Sequence, residues 1–176
     1  MTGPCLRGSG VSYDIRKAIP YSAYRDFDFD VPLGAKGDTY DRYLVRMEEM
    51  RQSLRIVEQA LAKLPKGPVI TDDRRVALPP KSEVYSNIES LMNHFKLVYD
   101  GILPPPGEVY GYTEGANGEL GFYIVSTGAG TPYKVHVRAP SFVHMGGVHR
   151  LMEGYQLADI IPTFGSVNMI GGECDR

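Results

Sequence analysis

The sequence predicts a mainly helical α+β chain, with two long helices followed by a small antiparallel sheet. Three observations carry this. An apolar stripe at helical spacing runs from Asp38 to about Leu64, and a second runs from about Ser82 to Tyr99. Beyond Gly107 the pattern shortens towards alternation around an Asn117-Gly118 turn.

The first 38 residues precede these elements and are punctuated by Gly3-Pro4, Gly8-Ser9-Gly10, Pro20, Pro32 and Gly34, so regular elements there must be short. Tyr13, Ile15, Tyr21, Tyr24, Phe27, Phe29 and Val31 give the segment too much apolar surface for a disordered tail, and it is expected to pack.

Asp38 is a good N-cap for the first long helix. Tyr40, Tyr43, Leu44, Met47, Met50, Leu54, Val57 and Leu61 form its stripe, with Arg42, Glu49, Arg55 and Glu58 largely off it. Pro65 and Gly67 stop it. Roughly 25 residues give a rod of about 38 Å, long for a domain this size. Residues 65–80 read as a polar loop. The second helix, running from about Ser82 with Ser82 or Lys81 preceding it, should bury Val84, Ile88, Leu91, Met92, Phe95 and Val98 before Gly101 and Pro104-Pro105-Pro106 end it. Asn117-Gly118 is a strong hairpin signal between strands at Val109–Tyr112 and Leu120–Val125, and Tyr133–Val137 supplies a third strand. Gln156–Phe164 reads as a short helix and Gly165–Arg176 as a glycine-containing loop. The whole is read as a single incomplete domain: an irregular aromatic-rich segment (1–38), a two-helix unit (39–101), a small β region (107–138), and a C-terminal loop, helix and tail (139–176).

Composition excludes several classes. The 176 residues carry 19 Lys and Arg against 21 Asp and Glu, a formal charge of -2, so there is no general basic footprint for nucleic acid. No run approaches the ~20 apolar residues of a membrane span, and Met1–Asp14 lacks the pattern of a signal peptide. Cys5 and Cys174 sit near opposite ends, outside any CxxC, and are expected to be free thiols. The 20 glycines and 13 prolines predict many loops.

Motif chemistry alone is thin. Gly8-Ser9-Gly10 lacks the strand, helix and third glycine of a dinucleotide fingerprint, and Gly34-Ala35-Lys36-Gly37 lacks phosphate-loop spacing. His136, His144 and His149 have no metal-ligand spacing with one another. Composition and spacing name no reaction.

Three stretches carry a resemblance that covers nearly the whole chain. The first is Gly3-Pro4-Cys5-Leu6-Arg7-Gly8-Ser9-Gly10-Val11 with Tyr13-Asp14-Ile15-Arg16-Lys17, Pro20-Tyr21 and Tyr24. The second is Phe29-Asp30-Val31-Pro32, Gly37-Asp38, Asp41-Arg42-Tyr43-Leu44-Val45-Arg46 and Glu49-Met50-Arg51-Gln52-Ser53. The third is Gly107-Glu108, Glu119-Leu120-Gly121, Tyr123, Arg138-Ala139-Pro140-Ser141-Phe142 and the terminal Asp175-Arg176. Together they resemble the C-terminal part of the D subunit of NADH:quinone oxidoreductase, respiratory complex I, which is similar to nickel–iron hydrogenase large subunits.

That resemblance implies a hydrogenase-large-subunit-like fold lacking its N-terminal half, which explains the aromatic opening and the long helix. It implies a part in quinone reduction coupled to proton pumping, as one wall of the quinone cavity against the iron–sulfur B subunit, with the C subunit as a further partner. It further implies that electrons come from an iron–sulfur cluster held by the partner, that quinone is the substrate, and that this chain binds no cofactor of its own. The expected location is peripheral, on the cytoplasmic side of the bacterial inner membrane or the matrix side of an organelle.

No catalytic residue is assignable in this part, and no metal ligand. Ile170 and Glu173 fall where hydrogenases carry two metal-binding thiolates, and a soft-metal site needs those thiolates. Asn168, Ile170, Glu173 and Arg176 are the candidate quinone-pocket residues. Asn168 departs from the family's usual Asp, and an amide cannot ionise. Glu173 remains as an acid, with Arg176 its expected partner. Rival readings are a metal-dependent hydrogenase relative, disfavoured by the missing thiolates, and a non-enzymatic assembly or scaffold protein. By itself the chain is expected to be inactive, to expose an apolar face and to self-associate.

Overall fold

A computed structural model describes residues 1–175. The chain separates into two compact units. The first comprises Met1–Leu64, Gly111–Phe122 and Val137–Arg176, and the second Pro65–Tyr110 and Tyr123–His136. The fold is α+β, as the sequence predicts, with helices dominating and one antiparallel sheet of three strands.

The opening segment forms the short helices α1 (Gly3–Arg7) and α2 (Ile15–Ala18) and a 3-10 turn at Tyr24–Asp26. Asp14 caps α2 by accepting from the Arg16 N–H, the usual answer to an unpaired donor at a helix start. The aromatic residues do pack. Tyr24 meets Phe29 edge to face, and the Arg16 guanidinium lies 5.0 Å from the centre of the buried Phe29 ring.

The long helix α3 spans Thr39–Lys63 and begins at Asp38, whose carboxylate accepts from the Asp41 N–H. Its extent matches the sequence expectation, but its burial is inverted. The apolar stripe lies outward, with Leu54 65% and Leu61 68% exposed, while Arg42 and Val45 from the other face are buried. Helices α1 and α8 (Ile160–Val167) pack on α3, so its polar side faces the interior of the first unit. Arg42 donates to Ser166 Oγ at 2.9 Å and to the Gly37 carbonyl at 2.9 Å.

The second long helix is two helices. α4 spans Lys81–Ser86 and α5 spans Ile88–Tyr99. Asn87 is extended between them, and its side chain accepts from the Glu89 and Ser90 N–H groups, so it ends one helix and caps the next. The expected buried face is also corrected: Ile88, Leu91, Met92, Phe95 and Val98 are exposed among the described residues.

The hairpin is β1 (Gly107–Gly115) and β2 (Gly118–Ser126), turning at Ala116-Asn117. β3 (Lys134–Arg138) adds to β2. Beyond it lie α6 (Pro140–Met145), α7 (Val148–Met152), a 3-10 turn at Leu157–Asp159, and α8. The tail is less of a loop than the sequence suggests. α8 extends to Val167, and Gly171–Cys174 forms a single helical turn, α9. The apolar core of the first unit includes Cys5, Ile15, Phe29, Val45, Ala139 and Val167.

Candidate functional site

Asn168 closes α8 in the left-handed conformation, with φ 56° and ψ 55°. Asn tolerates that region better than most residues because its short amide bonds locally. Here its Nδ2 donates to Asn117 Oδ1 at 2.8 Å, and Asn117 Nδ2 donates back to the Asn168 carbonyl at 2.8 Å.

Ser141, buried in the first turn of α6, gathers the neighbouring candidates. Its N–H donates to Glu173 Oε2 at 3.0 Å, and its Oγ accepts from the Ile170 N–H at 3.3 Å. Asn168, Ile170 and Glu173 thus share one hydrogen-bonded knot with Asn117 and Ser141. The Ile170 side chain is 45% exposed. Arg176, the expected partner of Glu173, lies outside the described residues; among those described, the Glu173 carboxylate accepts from the Ser141 N–H.

Beside Asn168 lies a cavity of about 520 Å³, contained within the first unit. Met47, Met50 and Tyr43 of α3 supply apolar wall, and Arg46, Glu49 and Glu114 supply polar groups. Arg46 points its Nη2 at the Val167 carbonyl, 3.3 Å away, and its buried Nε has no hydrogen-bond partner among the described residues. An apolar wall with a few polar groups is the general character of a small-molecule site.

The same wall carries a buried charge cluster. Arg7, 1% exposed, donates from Nε to Glu49 Oε1 at 2.6 Å and from Nη1 to Glu114 Oε1 at 2.9 Å, and lies 3.6 Å from Asp14 Oδ2. Arg16 forks onto Asp14 with contacts of 3.0 and 2.6 Å, the bidentate geometry that favours guanidinium over ammonium. The Ile15 N–H approaches Glu114 Oε2 at 3.4 Å, and the Glu114 N–H donates to the Tyr21 hydroxyl.

The acids respond differently. Burial pushes Glu49 and Glu114 above the ordinary carboxylate value, and the Arg7 contact only partly offsets this. Asp14 is lowered, because the Arg16 fork outweighs its burial. The acids of the cavity wall therefore favour their protonated form more than free carboxyls do.

Arg7, Asp14, Arg16 and Glu49 lie within the stretches that carry the resemblance, but no sequence pattern assigns them a site. Glu114 lies outside those stretches altogether. The signal that existed was local: a glycine-rich turn carrying Arg7, and an Asp14-Ile15-Arg16 cap. Their convergence with Glu114, 107 residues from Arg7, has no sequence periodicity to reveal it.

His144 is fully buried, its Nε2 in contact with the Thr2 backbone, and burial lowers its pKa. Cys5 is buried and Cys174 partly so, both as free thiols. Among the described residues, no helix is long and apolar enough to cross a membrane.

A family profile described as respiratory-chain NADH dehydrogenase, 49 Kd subunit, matches residues 1–176. The chain is 62% identical over 175 residues to the NADH-quinone oxidoreductase D subunit of Pelobacter propionicus, covering 99% of this chain and 43% of that protein. It is also 62% identical to the D subunit of Myxococcus xanthus, covering 99% and 42%. The C/D subunit of NADH-quinone oxidoreductase from Bdellovibrio bacteriovorus is 54% identical, with 99% and 31% covered. The chain thus spans well under half the length of these curated relatives.

Proposed function

The chain belongs to the family of the 49 Kd subunit of respiratory-chain NADH dehydrogenase, and on that premise we propose that it forms one wall of the quinone cavity of a proton-pumping NADH:quinone oxidoreductase. The observation that carries this is the placement of Asn168 at a cavity of about 520 Å³ with Met47, Met50 and Tyr43 as apolar wall. A quinone ring needs such a wall, and its two oxygens need donors nearby.

On this reading the chain positions quinone, while electrons come from an iron–sulfur cluster in a neighbouring subunit. Its own residues orient the ring, exclude water and present protonatable groups. The neighbours are the iron–sulfur B subunit and the C subunit, the latter supported by the relative named C/D. The assembly is placed peripherally, on the cytoplasmic side of the bacterial inner membrane. Without its neighbours the chain is inactive towards quinone.

The test is made in the assembled enzyme with Asn168→Ala and Ile170→Met. Both should raise the quinone KM and change sensitivity to quinone-site inhibitors, and leave NADH oxidation by an artificial acceptor unchanged. Wild-type KM and inhibitor sensitivity in both variants would remove the tail from the pocket.

A further inference from the structure

The cavity beside Asn168 has two acids in its wall, Glu49 and Glu114. Both contact the same guanidinium, that of Arg7, through different nitrogens. Asp14 is the third acid of the cluster, and Arg16 the second cation. Three carboxylates thus share two guanidinium groups in an interior where all five side chains are largely buried.

A buried cluster with one uncompensated negative charge is costly, and binding a proton removes that charge. Asp14 is the wrong place for the proton, because Arg16 holds both of its oxygens. Glu49 and Glu114 each give Arg7 one oxygen, and burial favours the protonated form of each.

The surrounding groups do not take over this role. The Tyr21 hydroxyl accepts the Glu114 N–H, and Tyr24 lies against Arg16. Tyr43 and Arg46 complete the cavity wall, with Arg46 directed at the carbonyls of Arg42 and Val167. Asn168 cannot ionise.

We propose that Glu49 and Glu114, paired around Arg7, hold one exchangeable proton and deliver it into the cavity to a quinone being reduced there. The recipient rests on the quinone reading above; the proton site itself does not. In the step, a carboxyl O–H bond breaks and an O–H bond forms on a quinone oxygen. Two electrons arrive one at a time through the neighbouring iron–sulfur cluster, and the second proton comes from water. The Glu49–Glu114 pair is left fully ionised and regains its proton from water. Arg7 is a positioning residue, fixing both carboxyls at the wall.

The experiment is infrared difference spectroscopy of the assembled complex across pH, together with quinone-reduction kinetics. The wild-type complex should show the carbonyl stretch of a protonated carboxyl, and Glu49→Gln with Glu114→Gln should abolish it. Each single variant should lower kcat for quinone by about a hundredfold, the usual scale for a lost general acid, with a displaced pH profile and little change in KM. Absence of the band in the wild-type complex would overturn the proposal without any variant. So would wild-type kcat and pH profile in both single variants. If the band is lost in the double variant while the Asn168 and Ile170 variants keep a wild-type quinone KM, the proton site stands and the quinone is the wrong recipient.

Discussion

Asn117 and Asn168 exchange two hydrogen bonds of 2.8 Å, tying the turn of the hairpin to the end of α8. Asn117 looks in sequence like an ordinary turn residue, yet it is only 2% exposed. It also donates to Ser141 Oγ at 3.4 Å, so one amide fastens the knot that holds Asn168 and Ile170. Asn117→Ala should leave these buried polar groups unpaired and destabilise the purified chain by about 2 kcal/mol. A urea titration followed by circular dichroism measures this, and an unchanged midpoint would mean that water replaces the amide.

The same turn fixes the opening segment by close backbone approach. A Cβ on Gly118 would lie 2.3 Å from Thr2 Oγ1 and 2.9 Å from the Gly3 nitrogen, and the residue has φ +128°. Gly3, with φ +64°, would place its own Cβ 2.5 Å from the Gly118 Cα. Gly118→Ala therefore combines a backbone clash with a disfavoured conformation. It should cost about 3 kcal/mol, more than a strand Gly→Ala elsewhere. Gly111→Ala is the control, since nothing lies within 4 Å of its added Cβ.

The contrast between what could and could not be read from the sequence follows from the range of each cause. The extent of α3 was legible because Asp38, Pro65 and the intervening period are local signals. The break at Asn87 was not, because Asn is tolerated within a helix and only the capping bonds to Glu89 and Ser90 decide the matter. Burial along α3 departs from the sequence expectation for a different reason. Periodicity finds the apolar face, but the side covered within this chain is the one bearing Arg42 and Val45. Of the candidate site, Asn168, Ile170 and Glu173 came from the resemblance, and the structure does bring them together around Asn117 and Ser141. The ion cluster of Arg7, Asp14, Glu49 and Glu114 depends on contacts across as many as 107 residues, which no local pattern encodes.

Asn87 offers a test confined to the second unit. Its side chain satisfies two donors that α5 leaves unpaired. Asn87→Ala should cost about 1 kcal/mol of stability, whereas Asn87→Asp or Asn87→Ser should retain most of it. Hydrogen exchange at Glu89 and Ser90 provides the local readout. Equal protection in the Ala variant would show that the cap contributes nothing.

The Arg7 cluster makes stability depend on pH in two opposed ways. Glu49 and Glu114 have folded-state pKa values above the ordinary 4.5, raised by burial. Their contribution is therefore fully present below 4.5 and lost as pH rises through the raised values. Asp14 lies below its ordinary 3.8, because the Arg16 fork overcomes its burial. Its contribution is present above 3.8 and lost as pH falls through the lowered value. Unfolding midpoints measured from about pH 3 to about pH 8 should fall on both sides of a mildly acidic optimum. Glu49→Gln removes one raised group, so the decline on the alkaline side should become shallower while the acid limb, set by Asp14, stays in place. Arg7→Leu acts in the other direction. It leaves the buried carboxylates without their shared cation and should cost about 3–5 kcal/mol near neutral pH. That cost should shrink as the acids are protonated, so the Arg7→Leu variant is expected to approach the wild type as pH falls towards 4.5. A penalty for Arg7→Leu that stays constant across the range would show that the guanidinium acts by packing alone.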